Sequence, residues 1–310
     1  MLDSRSMIPG WSRLALLTVA LGLAGCALPF SQSDAATFDG HTISMADYQS
    51  RLTLYQFLYK RQAATAAAGQ QPPALDTPAG KANEAKLEDD AIQSLVDEQL
   101  IRDEAAKDGL SVSDKEVADD VTAARHQFDQ QNQTAITQGQ QSQTFTQYLK
   151  GFGYDLASLE LQIHARLLEQ KLENKLATVR ANQALAALRG GTDISQVAKQ
   201  YSDDNTAAQN GGLVTLTPAQ LGQIDPAVKP ALDALQPGAT TADLVRGVNG
   251  FYLLKLVSRD DTGVKANVVY IYAPQAAYYR TSQRPAWFIA FVTDLEKKAH
   301  IKYKVGSHKS

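Results

Sequence analysis

Cysteine is nearly absent: Cys26 is the single thiol in 310 residues. With no second thiol, no intramolecular disulfide can staple the chain, so its stability has to come from packed cores. Histidine is scarce as well. His41, His126, His164, His300 and His308 are the only five, and none has partners at metal-ligand spacing, so the sequence implies no metal and no cofactor. Positive charge is not in excess, with 30 Lys and Arg against 33 Asp and Glu and a net charge of -3. That balance leaves no basic footprint for nucleic acid. After Cys26 there is also no apolar run long enough to cross a bilayer, which argues for a water-exposed chain from there on.

What the first residues do contain is specific. Arg5 and Arg13 flank the start of an apolar run over 14–21, and Leu23-Ala24-Gly25-Cys26 follows. A charged region, a short hydrophobic stretch and small residues before a cysteine describe an export signal over 1–25, with Cys26 where a bacterial lipobox places the thiol that receives a diacylglycerol. The chain is then expected to be an extracytoplasmic lipoprotein held to the cell membrane by acyl chains, with 26–36 as its lipidated tether.

Beyond the tether, roughly 280 residues suffice for two modest domains. Phe38-Asp39-Gly40-His41-Thr42-Ile43 reads as a short strand and turn. Ser44 with Asp47 forms a capping box ahead of Tyr48, Leu52, Leu54, Tyr55 and Leu58 at helical spacing. Residues 63–80, rich in Ala, Gln, Pro and Gly, are expected to be a mobile loop. A strong helix over 86–107 carries Ile92, Leu95, Val96, Leu100 and Ile101 on one side, with Glu88, Asp89, Asp90, Asp97 and Glu98 largely facing away. Ser113 and Glu116 open another helix using Val117, Val121 and Phe128, and the glutamine-rich stretch 130–143 is expected to be a disordered insertion. A long helix then runs through Leu159, Ile163, Leu167, Leu172 and Leu176. Near the end, the β-branched stretch 268–272 follows 251–257 across Asp260-Asp261-Thr262-Gly263, a hairpin pattern. Pro285 starts a helix with Trp287, Phe288, Phe291, Val292 and Leu295, where the aromatics are read as core, and 301–305 closes as a strand.

Residues 184–259 carry a distinctive order of elements: a helix ending on Gly190-Gly191, an amphipathic turn with Ile194, Val197 and Ala198, then Ser202 and a polar loop closing on Gly211-Gly212. A short helix ending at Gly238 and a strand opened by Asn249-Gly250-Phe251 complete it. This order resembles the parvulin family of peptidyl-prolyl cis/trans isomerases. The run Gly109 to Val117 and the helix after Tyr154 are similar to the N-terminal chaperone region of SurA-like and PrsA-like foldases. The resemblance implies an α+β chain, with a helical chaperone-like domain over 37–180 completed by 276–305. It also implies a degenerate parvulin-like domain over 181–274, a small antiparallel sheet flanked by helices. Its clients would be unfolded or newly exported polypeptides.

Carried across by position, the resemblance places Asp204 in the family's acidic slot, Tyr252 where the second family histidine belongs, and Ile224 and Val228 where the family grips the proline ring. Both family histidines are missing, and the first parvulin strand has no counterpart upstream, because 176–188 reads as unbroken helix. The late strand 268–272 is the candidate to fill that central gap, since an unfilled ladder would leave an open edge. Three readings follow: an isomerase with a rebuilt site, a non-catalytic holdase, or a structural envelope lipoprotein that docks through its helical domain. Rotation about an X-Pro bond makes and breaks no covalent bond, but has to lower a barrier of roughly 20 kcal/mol. An apolar pocket and polar groups that favour the twisted amide are what it needs.

Overall fold

The computed structural model describes residues 34–66, 70–137, 141–151, 153, 155–274 and 284–307, so the export signal, Cys26 and His308 lie outside the described residues. The chain enters its first sheet as β1 (Asp34–Phe38), turns through Asp39 and Gly40 at φ 46° and 84°, and returns as β2 (His41–Ser44). Ala35 and Ala36 are fully buried, so the end of the predicted tether is already strand. Ser44 then accepts the Asp47 N–H at 3.1 Å and starts α1 (Met45–Thr65).

Four helices follow: α2 (Lys81–Lys107), α3 (Asp114–Thr137), α4 (Phe145–Gly151) and α5 (Leu156–Arg189). The Ser113–Glu116 box is formed in both directions at 2.9 and 3.3 Å, and Asp155 caps α5 by accepting the Ser158 N–H at 2.8 Å. α3 runs through most of the glutamine-rich stretch predicted to be disordered. Gln and Ala are adequate helix formers, and the stretch is pinned at its root, where the Phe128 ring lies 5.5 Å from Phe145 and 4.8 Å from Tyr148. The Asn132 side-chain amide also donates to the Gln143 carbonyl at 3.0 Å.

The remainder is built of α6 (Ile194–Tyr201), α7 (Asn205–Gln209), β3 (Leu213–Leu216), α8 (Pro218–Leu221), α9 (Val228–Asp233), β4 (Val245–Arg246), β5 (Gly250–Asp260) and β6 (Gly263–Tyr272). After the undescribed residues 275–283 come α10 (Ala286–Lys298) and β7 (Lys302–Tyr303). Among the described residues the strands form two antiparallel sheets, ordered β2-β1-β7 and β3-β6-β5-β4. The expected late hairpin is present, with Phe251 opposite Ile271 and Leu253 opposite Val269, and it puts β6 in the central position between β3 and β5. Gly212 makes the β3–β6 approach possible. It sits at φ 77°, and a Cβ there would lie 2.5 Å from the Val268 carbonyl oxygen.

Both ends of the chain share one core. β7 pairs with β1, Ala36 opposite Tyr303, and Ala299 packs with Phe38, Tyr48, Ile92 and Val96. Phe288 and Val292 of α10 fill a second cluster with Ile101 and Ala105 of α2 and Leu168 and Leu172 of α5. Further along α5, Ala177, Ala181, Ala184 and Leu185 pack against one face of the four-stranded sheet. α5 is thus continuous across the boundary expected at 180, and 33–310 forms one unit. Among the described residues, no helix is long and apolar enough to cross a membrane.

Asp97, expected to face away from the core, is buried instead. The Arg284 guanidinium, supplied from the far end of the chain, donates to it at 2.6 Å. Sequence periodicity cannot see a partner 187 residues away.

Leu172, fully buried between α2 and α10, should cost about 2–5 kcal/mol when changed to Ala, whereas Leu161, 72% exposed, should cost within about 0.5 kcal/mol. Urea unfolding monitored by circular dichroism measures both, and equal losses would show that α5 does not carry the core assigned to it.

Candidate functional site

The sheet that β6 completes has two apolar faces. Leu253, Val269 and Ile271 face α5 and α6, while Leu254, Leu256, Val264 and Ala266 face α9, whose Val228 and Leu232 cover them. Period-two alternation along β5 decides which side chain goes where. Tyr252 therefore lies on the α9 face, in the same cluster as Ile224 and Val228. Three of the four residues expected to form the site thus meet. Val228 is only 5% exposed, filling the core beneath the face, and Ile224 is half-buried beside it.

The polar partner of Tyr252 is Asp225. Its Oδ2 accepts the Val248 N–H at 2.7 Å and lies 3.4 Å from the Tyr252 hydroxyl, and its Oδ1 accepts the Ala227 N–H at 3.0 Å. The carboxylate ties the loop before α9 to the turn between β4 and β5. Gly247 leaves room for it, since a Cβ there would come within 2.3 Å of Oδ2. The Tyr252 ring stacks on Tyr270 at 5.0 Å, and the Tyr270 hydroxyl donates to the Asn249 carbonyl at 3.1 Å. Burial, then the Asp225 charge, pushes the Tyr252 hydroxyl well above the usual phenol range, and burial does the same for Tyr270. Both stay neutral phenols across the physiological range. Arg246 stacks over Phe251 at 4.4 Å at the same end of the sheet.

Asp204 stands elsewhere. It is exposed and accepts the Thr206 N–H at 3.0 Å, capping the short α7. Its neighbour Asp203 turns inward: Oδ2 accepts the Tyr272 N–H at 2.8 Å and the Trp287 indole N–H at 3.2 Å, and Oδ1 lies 3.5 Å from Arg180. Burial raises the Asp203 carboxyl above the ordinary carboxylate range, against the opposing pull of those donors. Arg180 is flanked by the Trp287 and Tyr201 rings at 5.1 and 5.9 Å. Asp203 thus joins the sheet to α5 and α10. The doubled aspartate after Ser202 was the available signal, but sequence alone gave no means of choosing which one faces inward.

Open clefts lie among the helices. One of about 410 Å³ is lined by Arg51, Leu54, Tyr55, Ile163 and Arg166 among others, between α1, α2, α3 and α5. Another, about 490 Å³, includes Val117, Ala157, Leu161 and His164 between α3 and α5. Chemically, the sheet site offers neutral phenols, one carboxylate and a half-buried apolar rim, while the helical clefts offer apolar floors edged by charge.

Residues 5–173 match the family described as SurA-like N-terminal domain, and residues 162–258 match the PPIC-type PPIASE domain. A protein named Chaperone SurA from Nitrosospira multiformis is 31% identical over 161 residues, 50% of this chain and 35% of that protein. Another of the same name from Burkholderia lata is 25% identical over 150 residues, covering 47% and 32%. Foldase protein PrsA 1 from Listeria monocytogenes is 29% identical over 128 residues, 40% of this chain and 41% of that one. The chain therefore spans about a third to two-fifths of the length of these relatives.

Asp203→Ala should lower the unfolding free energy by about 1–3 kcal/mol, because it removes the acceptor that the half-buried Trp287 and Tyr272 N–H groups share, while Asp204→Ala should cost about 0.5–2 kcal/mol as a lost cap on an exposed helix. Thermal unfolding of the two variants side by side tests the order; a larger loss in the Asp204 variant would reverse the assignment.

Proposed function

The chain belongs to the SurA-like N-terminal domain family, and from that premise we propose that it is a membrane-anchored extracytoplasmic foldase, lipidated at Cys26, that assists newly exported proteins. The names of its relatives, a chaperone and a foldase, and its match to the PPIC-type domain support this reading. The observation that carries it is the pairing of a complete four-stranded sheet with open apolar clefts in one folded unit. Extended clients need an accessible apolar surface and backbone partners, and neither requires the absent histidines.

Client holding is the best-supported activity. Proline isomerisation is the second reading, favoured by one arrangement: Tyr252, a neutral phenol, stands beside half-buried Ile224 at the position the family gives to its proline pocket. In that reading Tyr252 is the polar group that favours the twisted amide, half-buried Ile224 supplies the apolar grip with Val228 packed as core beneath it, and Asp204 shapes the loop rather than moving a proton.

The deciding experiment measures both activities on one purified protein: aggregation of a chemically unfolded client, and protease-coupled rotation of an X-Pro peptide. The expected result is suppressed aggregation that is unchanged in Asp204→Ala, and an isomerisation rate that Tyr252→Phe abolishes. Neither suppression nor acceleration would leave a structural lipoprotein with a fixed partner. Acceleration that survives Tyr252→Phe would remove that residue from the site.

A further inference from the structure

Two tyrosines stand directly opposite each other on the two central strands, Tyr252 on β5 and Tyr270 on β6, with their rings 5.0 Å apart. What they offer a ligand depends on where their protons point, because a neutral phenol has one proton to donate and lone pairs with which to accept. The Tyr270 hydroxyl donates to the Asn249 carbonyl at 3.1 Å, and the Tyr252 hydroxyl is aimed at Asp225 Oδ2 at 3.4 Å. Both oxygens of Asp225 already accept backbone N–H groups, so its carboxylate is an acceptor on either side. Each phenol proton is thereby turned into the protein, and each phenol oxygen keeps its lone pairs for what lies on the face.

The orientation is built into the backbone. The Tyr270 ring lies over Gly250, where a Cβ would come within 2.9 Å of the ring Cε2, just as a Cβ at Gly247 would meet Asp225. Two glycines therefore give the ring and the carboxylate their seats. Backbone donors beside the phenols are spent as well. The Val248 and Ala227 N–H groups go to Asp225 at 2.7 and 3.0 Å, and the Gly247 N–H goes to the Gly250 carbonyl at 2.9 Å. Arg246, the cation at this end of the sheet, stacks on Phe251, which alternation puts on the opposite face from Tyr252. The Tyr252 face is left rich in acceptors and poor in donors.

That polarity selects the group a client has to bring, an inference that rests on the isomerase reading of this face and refines it. A client carbonyl would need a donor, whereas a client N–H meets the acceptors it needs. Proline itself carries no N–H, so the donors have to come from the residues on either side of it. We propose that the Tyr252 and Tyr270 oxygens accept the client backbone N–H groups that flank a proline, while the proline ring packs on Ile224. A specificity follows. An isolated proline with N–H groups on both sides is held, and a run of consecutive prolines, which lacks them, is not. Tyr252 then assists rotation by fixing the chain beside the turning bond, and not by donating a hydrogen bond to the amide itself.

The test is an NMR titration of the full chain, followed at the amide signals of β5 and β6, with a short peptide containing one proline and with its analogue in which both flanking N–H groups are replaced by ester oxygens. Wild type should bind the amide peptide about three- to tenfold more tightly than the ester, the worth of one net hydrogen bond. The Tyr252→Phe/Tyr270→Phe double variant should bind the two alike. Equal affinities in wild type, or a preference that survives in the double variant, would overturn the assignment and leave the isomerase reading of the face standing. Binding of neither peptide at β5 and β6 would overturn both. Should the double variant fail to fold, Tyr252→Phe alone decides: a preference smaller than that of wild type supports the proposal, and an unchanged one sinks it.

Discussion

The structure depends on α5. At 34 residues it is about 51 Å long, and it presents two different surfaces in succession. Leu168 and Leu172 are large and interlock with Ile101, Phe288 and Val292, whereas Ala177, Ala181 and Ala184 are small and let the sheet and α6 approach closely. A single rigid helix thereby fixes the sheet relative to the helices without a disulfide. A break in it would leave two small cores, each burying a smaller share of its surface.

The second constraint is closure by the far end of the chain. α1 and α2 alone cannot cover β1 and β2, and Ile301, Tyr303 and Val305 complete that cluster while β7 extends the sheet. Closing so long a loop carries an entropic cost, which apolar burial by Phe288 and Val292 offsets. The polar network around Arg284 adds geometry to that burial. Its ion pairs have to line up Asp97 and Glu169 from different helices, so they define one docking arrangement of α10.

The same economy marks the sheet site. The groups that hold Tyr252 and Tyr270 in place, Asp225 and the Asn249 carbonyl, also tie adjacent loops together, and Asp203 does likewise between the sheet and Trp287. Polar groups that would be costly to bury alone are each given donors or acceptors from a second element. The face around Tyr252 is accordingly rigid, half-apolar and neutral at its phenols.

Local pattern was enough to read most of the elements. Ser44, Ser113 and Asp155 act through hydrogen bonds within three residues, the hairpin of β5 and β6 is announced by its turn, and the apolar stripe of α2 repeats within one helix. The hairpin was legible for that reason, whereas the α+β class, the late strand's place at the sheet's centre and the return of the C-terminal helix were implied by the resemblance to parvulin and SurA-like chains. The glutamine-rich end of α3 was misread because composition signals solvation, not conformation, and its anchor is a ring cluster made with α4. Only the tertiary structure decided that Asp203 rather than Asp204 faces inward, that Asp225 is the partner of Tyr252, and that Asp97 is buried against Arg284. The physical reason is common to all three. A carboxylate's role is set by which donors reach it, and those donors come from segments tens to hundreds of residues away, at distances no local periodicity encodes.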